Sequence, residues 1–594
     1  MKKIILSLAF LALILTSCEK DNKKEEVIED KNIPEFNAVL HEYYEEGLKL
    51  DPIKATFSGD NRYNDSFPNF LSDEYKDSVR VYYNKFQNII KKYDDKLLTD
   101  TERFSKAILQ WDIDINLEDL KYRKELIPID QMWSRNLMVG QLAGGSSAQP
   151  FNTVEDYKNW LQRLDGYTKW LKTAEKRMKT GVKIRYVLPN SLIVKVIPQL
   201  KALSGENVEE HLFFSPVKNF PKSFTKDEKY ELTEAYTRMM QDNIIPAYTS
   251  LHKYVSTDYL SEGRTSSGVD AIPSGKEYYE FAIKKYTTTS LTSEEIHQIG
   301  LSEVKRILVE MEKIKSQVDH EGDIISFFDF VRENKKLMPY TKPQQVINHF
   351  NKIHNRMKPQ LEKLFNNKPK TSFVVKQTEA FREASSSAEY NPGSLDGSRP
   401  GIFYVPIPSP KNYNVFTDES LFLHEAIPGH HYQISLTQEN ENLPYFRKTL
   451  WYSAYGEGWA LYAESLGKEL GLFKDPYQYF GMLSSEMHRA IRLVVDTGIH
   501  AKGWTREQAI QYSLENEAEP EASIIAEIER YMANPGQALS YKIGQLKIQE
   551  LRLRAENAMG DKFDIKEFHN QILETGCVPL ALLEEKINQW IDDN

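Results

Sequence analysis

The sequence predicts a large, mainly α protein, and three observations carry that expectation. Long stretches place apolar residues three and four positions apart with charges between them, the period of an amphipathic helix. Segments that alternate as strands do are few and short. From about residue 35 onward no internal repeat and no linker rich in Gly and Ser divides the chain, so residues 35–594 read as one helical unit. With 594 residues, 40% of them apolar, the chain can bury a sizeable core, which excludes a disordered tail or a disulfide-stapled miniprotein. The formal charge of −10, with no long basic run, argues against nucleic acid as a partner, because phosphate binding needs clustered Lys and Arg.

The N-terminus reads as an address. Residues 1–17 hold Lys2 and Lys3, an apolar run from Ile4 to Leu15, and the small residues Thr16 and Ser17 just before Cys18. That is a signal peptide whose apolar core is too short for a comfortable membrane span. The stretch Leu15-Thr16-Ser17-Cys18 resembles a bacterial lipobox, which makes Cys18 a lipidation site and 18–34, rich in Glu and Lys, a solvated tether. The expected location is the outer membrane, on its periplasmic side or at the cell surface, because the acidic residues after Cys18 resemble a lipoprotein export signal. Cys577 is then the one remaining thiol and is expected to be a buried structural residue.

Within the body, helices are expected over 73–93, 153–179, 226–254, 293–318 and 342–365. Thr292 and Glu295 form a capping-box pattern at the start of one of them. Strands are expected at 372–376 and 401–407, each bounded by Pro, Gly or Ser. The turn-rich tract 391–400 feeds the second. If that strand is a sheet edge, its backbone around Tyr404 could receive an extended peptide.

One segment carries the chemistry. Leu421-Phe422-Leu423-His424-Glu425-Ala426-Ile427-Pro428-Gly429-His430-His431 gathers three histidines and a glutamate. Zinc hydrolases use His-Glu-x-x-His on a helix, where residues i and i+4 face one metal and the Glu activates water. Here Pro428 stands at i+4. Its missing amide and its ring would cost a regular helix about 3 kcal/mol or more, so the helix must bulge or break. In an unbroken helix His431 would return to the face of His424 but about 10 Å further along the axis. A distortion at Pro428-Gly429 brings His430 into the place of the second ligand, with His431 the alternative. The third ligand is sought in Ser453-Ala454-Tyr455-Gly456-Glu457-Gly458-Trp459-Ala460-Leu461-Tyr462-Ala463-Glu464, whose two glutamates share a helical face. Glu457 is expected on the metal and Glu464 behind a ligand histidine, or the reverse.

These two strings, with Glu529-Arg530-Tyr531-Met532-Ala533-Asn534-Pro535-Gly536-Gln537-Ala538-Leu539-Ser540-Tyr541-Lys542-Ile543-Gly544, resemble the bacterial lipoprotein family catalogued as domain of unknown function 885 (DUF885). The resemblance runs from about residue 35 to the C-terminus. That family is similar in turn to the gluzincin peptidases, such as the thimet-type oligopeptidases and angiotensin-converting enzymes, whose motif is His-Glu-x-Gly-His. The chain matches if Ala426-Ile427-Pro428 replaces the single x. The resemblance implies a deep cleft with a small β element beside the site, Zn²⁺ on His424, His430 and Glu457, Glu425 as general base, and a peptide substrate. It also implies a Tyr and a His from downstream helices at the oxyanion, for which His500, Tyr541 and Tyr531 are the candidates. Arg489, Arg492 and Arg530 are candidates to clamp a peptide carboxylate. Two other readings share much of this pattern: a catalytically inert, surface-anchored binding protein, and a zinc hydrolase acting on another amide or an ester.

Overall fold

Helices open where hydroxyl caps stand in the sequence. In a computed structural model, which describes residues 35–594 apart from 146, 380–382, 384–386, 396 and 398, the Thr292 hydroxyl accepts from the Glu295 amide at 3.2 Å while the Glu295 carboxylate accepts from the Thr292 amide at 2.9 Å. This reciprocal pair satisfies two amides that a helix start leaves bare, and Ser293–Gln317 follows it. Thr153 with Asp156 and Thr225 with Glu228 open Val154–Lys183 and Lys226–Met239 in the same way. The leader 1–17, the lipidation site Cys18 and the tether 18–34 lie outside the described residues.

Proline corrects two of the expected helices. The stretch 226–254 is Lys226–Met239, a wider π turn Met240–Ile244, and then Ile245–Tyr254. Pro246 has no amide to donate within that turn, and the backbone widens around the missing bond. Likewise 342–365 is α-helical only over Pro343–Met357 and tightens to a 3₁₀ segment, Lys358–Lys363, where Pro359 enters.

The protein is mainly helical, with 69% helix and 3% strand. The strands are β1 (Phe373–Gln377), β2 (Glu389–Asn391) and β3 (Gly401–Val405), in the order β1-β3-β2. β1 runs parallel to β3 with Phe373 opposite Gly401, and β2 runs antiparallel to it with Tyr390 opposite Phe403. β3 is therefore the central strand and both of its edges are spent, which corrects the expectation that the strand of Tyr404 is a free edge for a peptide. Gly401 is required at the crossing, because a Cβ there would stand 2.2 Å from the Tyr390 hydroxyl oxygen.

Residues Phe36–Asn594 gather into one unit around a continuous apolar core. Trp160, Trp170 and Trp459 are fully enclosed in it, and each such side chain contributes about 1.5–3 kcal/mol by leaving water. Two helix contacts at this core use glycine as a contact surface. Gly300 of Ser293–Gln317 lies against Leu493 and Val494 of Pro476–Ala501, and Gly458 of Ser453–Ser465 lies against Gly544 of Ser540–Met559. A Cβ on Gly544 would come within 1.9 Å of the Ala454 carbonyl oxygen. These crossings fix Ser453–Ser465, which carries Glu457 and Glu464, against the helices downstream of it. No helix among the described residues is long and apolar enough to cross a membrane.

Candidate metal centre

The break expected at Pro428 is complete. Asp418–Glu425 ends on Glu425, and a new helix, His430–Glu439, begins at His430. Between them the Ile427–Pro428 peptide bond is cis. The chain folds back so closely that a Cβ on Gly429 would lie 1.9 Å from the His424 carbonyl oxygen and 2.3 Å from that of Leu423. Backbone atoms cannot yield that distance, so only glycine fits. The indole of Trp459 donates to the Pro428 carbonyl at 2.8 Å and ties the break to the helix that carries Glu457.

The fold brings together His424, His430 and Glu457, each offering one ligand atom, all within 4.8 Å of one another. Glu457 Oε2 stands 3.6 Å from His424 Nε2 and 3.4 Å from His430 Nε2. Zinc bound tetrahedrally at about 2.0–2.1 Å separates its ligands by about 3.3–3.4 Å, so the donor set and its spacing fit such an ion. The two imidazoles lie nearly perpendicular, with ring centres 4.7 Å apart.

Glu464 holds the first histidine from behind. Its Oε1 lies 2.8 Å from His424 Nδ1, and its Oε2 accepts from the Ser420 hydroxyl, one helical turn before His424. With Nδ1 engaged, Nε2 faces the cluster, the usual arrangement behind a ligand histidine. His430 has no such partner among the described residues: its Nδ1 is buried without a hydrogen bond, and the Trp451 ring packs at 5.9 Å from its own.

Electrostatics single out the same point. Burial works to lower the His424 pKa, but the carboxylates of Glu457, Glu464 and Glu425 outweigh it and raise the pKa to about 9. Burial works to raise Glu457, yet His430 and His424 hold it well below the usual carboxylate range. Both shifts express a preference for positive charge between these side chains, which a cation satisfies as a proton does. Glu425, enclosed beside them, is raised by burial ahead of the lowering by His424, His430 and Arg489.

The other sequence candidates separate into those near this cluster and those built into the fold. Tyr541 lies in the field of Glu457, and its ring stacks over the Arg492 guanidinium at 4.4 Å. Arg489 lies in the field of Glu425. Its Nη1 reaches the Ser485 carbonyl, and its Nε is buried without a partner among the described residues. Tyr531, Arg492 and Arg530 are taken up elsewhere. Glu527 accepts from the Tyr531 hydroxyl at 2.7 Å and from both guanidinium groups at 3.0 Å, while Arg492 Nη1 is buried without a hydrogen-bond partner among the described residues.

His500 is a correction. It is wholly buried, its Nδ1 accepts from the Val269 amide at 3.1 Å, and its Nε2 meets the Tyr531 carbonyl at 3.0 Å. Both ring nitrogens are spent on backbone, and no proton is left to give a substrate. His431 turns away from the cluster to the sheet, with its Nδ1 2.9 Å from the Tyr390 hydroxyl and its ring against Phe373. Tyr404 sits half-buried on the central strand opposite Lys376 and Glu389. Cys577 is buried and makes no disulfide.

A family model for bacterial proteins of unknown function, DUF885, matches residues 52–587. The chain belongs to that family. It is similar to a solved structure described as a proposed lipoprotein from Colwellia psychrerythraea, with 29% identity and a TM-score of 0.84 over 94% of this chain and 99% of that one. A second, a proposed lipoprotein of unknown function from Shewanella oneidensis, has 19% identity and a TM-score of 0.74 over 93% of this chain and 99% of that one, and shares the fold. No curated protein matches.

Several residues that build the site carry no strong local signal. Ser420 precedes His424 by four positions, a spacing that puts both on one helical face and could have marked it. Trp451 and Tyr390 come from segments with no motif. The network of His488, whose Nδ1 is 2.6 Å from Glu517, with Glu527 and Arg492 is invisible without the fold.

Proposed function

We propose that the chain is a membrane-anchored, zinc-dependent peptidase of gluzincin type, and the convergence of His424, His430 and Glu457 beside Glu425 carries the reading. Zn²⁺ on these three side chains supplies Lewis-acid polarisation of a scissile carbonyl and lowers the pKa of water towards about 7. The Glu425 carboxylate takes a proton from the attacking water and returns it to the nitrogen of the leaving amine. Burial raises this carboxyl, which suits both halves of that transfer. Glu464 fixes the His424 ring by holding Nδ1. The Tyr541 hydroxyl is the donor assigned to the developing oxyanion, and Arg489, with an unspent Nε, is assigned to orient the substrate.

The gluzincin-type helical fold belongs to this proposal. It is supported by a His-Glu pair on one buried helix and a ligand Glu on the next long one. The lipid anchor at Cys18 and the outer-membrane location are supported by the lipobox-like Leu15–Cys18 and by the description of both solved relatives as proposed lipoproteins.

The test is metal analysis of the purified chain together with hydrolysis of a peptide library by wild type and Glu425→Gln. The expected result is about one zinc per chain and a chelator-sensitive activity that the substitution abolishes. A folded protein that takes up no metal at saturating zinc would overturn the reading in favour of a surface-anchored binding protein. Metal binding with ester or other amide hydrolysis but no peptide cleavage would keep the centre and replace the substrate.

A further inference from the structure

A cavity of about 810 Å³ lies on the other side of Trp451 from His430, within the size range of ligand sites. Trp451 connects the two. It lines the cavity, its ring is 5.9 Å from that of His430, and it rests on Gly456, where a Cβ would come within 2.3 Å of the indole. Gly456 is the residue before Glu457. A molecule in this cavity therefore lies one side chain, Trp451, away from His430.

The cavity wall holds a carboxylate that lacks a cation. Asp112 accepts hydrogen bonds from the Tyr43 hydroxyl and, at 3.3 Å, from Asn116 Nδ2, and no Lys, Arg or His among the described residues lies within 4.0 Å of it. Lys54, which lines the same cavity, and Lys285 act on it through space without an ion pair, and Lys285 bonds Asp119 instead, at 2.9 Å. Burial pushes the Asp112 carboxyl up, ahead of the lowering by Tyr43. Tyr43, Tyr82, Tyr83 and Tyr452 line the same cavity. A second feature lies in the same wall: Tyr452 is 6% exposed, and its hydroxyl, in the field of Asp112, has no hydrogen-bond partner among the described residues. A half-buried carboxylate, aromatic rings and a spare phenolic oxygen form a receptor for an ammonium group, which takes charge from the first, cation–π attraction from the second and a hydrogen bond from the third.

We infer that this cavity is a substrate subsite that receives a cationic amine on Asp112 and Tyr452, the α-ammonium of a peptide or a lysine side chain. The inference rests on the peptidase reading for the chain that carries the amine, but its test reads binding and not turnover. Calorimetry is done on the full chain carrying Glu425→Gln, with trialanine, N-acetyl-trialanine, Ala-Lys-Ala and N-acetyl-Ala-Lys-Ala as probes. The expected result is binding of the amine-bearing peptides, weakened at least ~10-fold by adding Asp112→Asn, as for loss of a hydrogen bond to a charged group. If the α-ammonium is the ligand, both acetylated peptides lose affinity. If lysine is the ligand, N-acetyl-Ala-Lys-Ala keeps its affinity and trialanine has none.

Because Asp112 also holds Tyr43, Asp112→Asn is checked by its melting curve. Should it unfold, Tyr452→Phe decides, since it removes a hydroxyl with no hydrogen-bond partner among the described residues and leaves the ring. Unchanged amine binding in that variant overturns the inference. So does equal binding of N-acetyl-trialanine and the amine-bearing peptides, or binding of no peptide at all. Amine-dependent binding with no hydrolysis by the wild type leaves the subsite standing and removes the peptidase.

Discussion

Glu464 offers the sharpest perturbation of the centre, because it touches a candidate ligand without being one. Its carboxylate takes both the His424 Nδ1 proton at 2.8 Å and the Ser420 hydroxyl. Glu464→Gln keeps an acceptor for Nδ1 and a polar partner for Ser420 but removes the charge. Glu464→Ala removes both partners and leaves a buried donor without a bond. Loss of the group behind a ligand histidine costs about 10–100-fold in metal affinity, which converts to about 1.4–2.7 kcal/mol. The glutamine variant should fall at the lower end and the alanine variant at the upper end, with Ser420→Ala weaker than either. Competition for zinc against a chromophoric chelator measures this directly, and the melting curve of each metal-free variant separates loss of affinity from loss of fold. If all three variants fold and hold zinc as tightly as the wild type, Glu464 does not position a ligand and the assignment of His424 fails.

Three further outcomes follow from residues away from the centre. Burial depresses the His500 pKa to about 3, against 6.5 for the free side chain, so only the unfolded chain binds this proton between those values. The stability it contributes is full above pH 6.5 and is lost as pH falls towards 3, with a slope of about 1.4 kcal/mol per pH unit. His500→Asn should flatten the pH dependence of denaturant unfolding by that amount, and an unchanged slope would refute it. Gly544→Ala puts a Cβ 1.9 Å from the Ala454 carbonyl oxygen, which overpacks a backbone contact and should cost about 3 kcal/mol in guanidinium unfolding; an unshifted midpoint counts against the crossing. Burial pushes the Cys577 thiol up to about 12, so with Cys18 replaced by Ser the native chain should resist a thiol-reactive dye and label only when unfolded, whereas fast native labelling contradicts its burial.

The helical periods and hydroxyl caps were legible because they are local: Thr292 and Glu295 meet within one turn whatever the rest of the chain does. The break at Pro428 was legible for the same reason, since the missing amide and the ring act on the preceding turn. The preference for His430 over His431 came from the same break and agrees with the cluster, while the direction in which the second helix leaves Gly429, set by Trp459 and the sheet, was not legible. His500 misled because a histidine inside a motif-like run looks available, while the amide that occupies it belongs to Val269, far upstream. Strand order was hidden too. β2 is only three residues long, too short to register as a strand, and its presence is what turns β3 from an edge into a centre. The Asp112 cavity joins residues more than 300 positions apart, beyond any periodic signal.

The inserted residues in the His-Glu motif bear on how such a centre is held. On one continuous helix the i,i+4 spacing places both histidines, and any change of length destroys it. Here each histidine stands at the end of its own helix, and their separation is set by contacts made between helices. Gly429 lets the chain fold onto the His424 carbonyl, and Trp459 anchors the turn to the helix of Glu457. Glu464, on that same helix, orients His424. Ser453–Ser465 thus fixes all three candidate ligands: His424 through Glu464, His430 through Trp459, and Glu457 directly. That helix is in turn held by the Gly458–Gly544 crossing. The geometry that the standard motif stores in a local repeat is stored here in packing, so the strings Glu457–Glu464 and Glu529–Gly544 belong to the same device as the histidines.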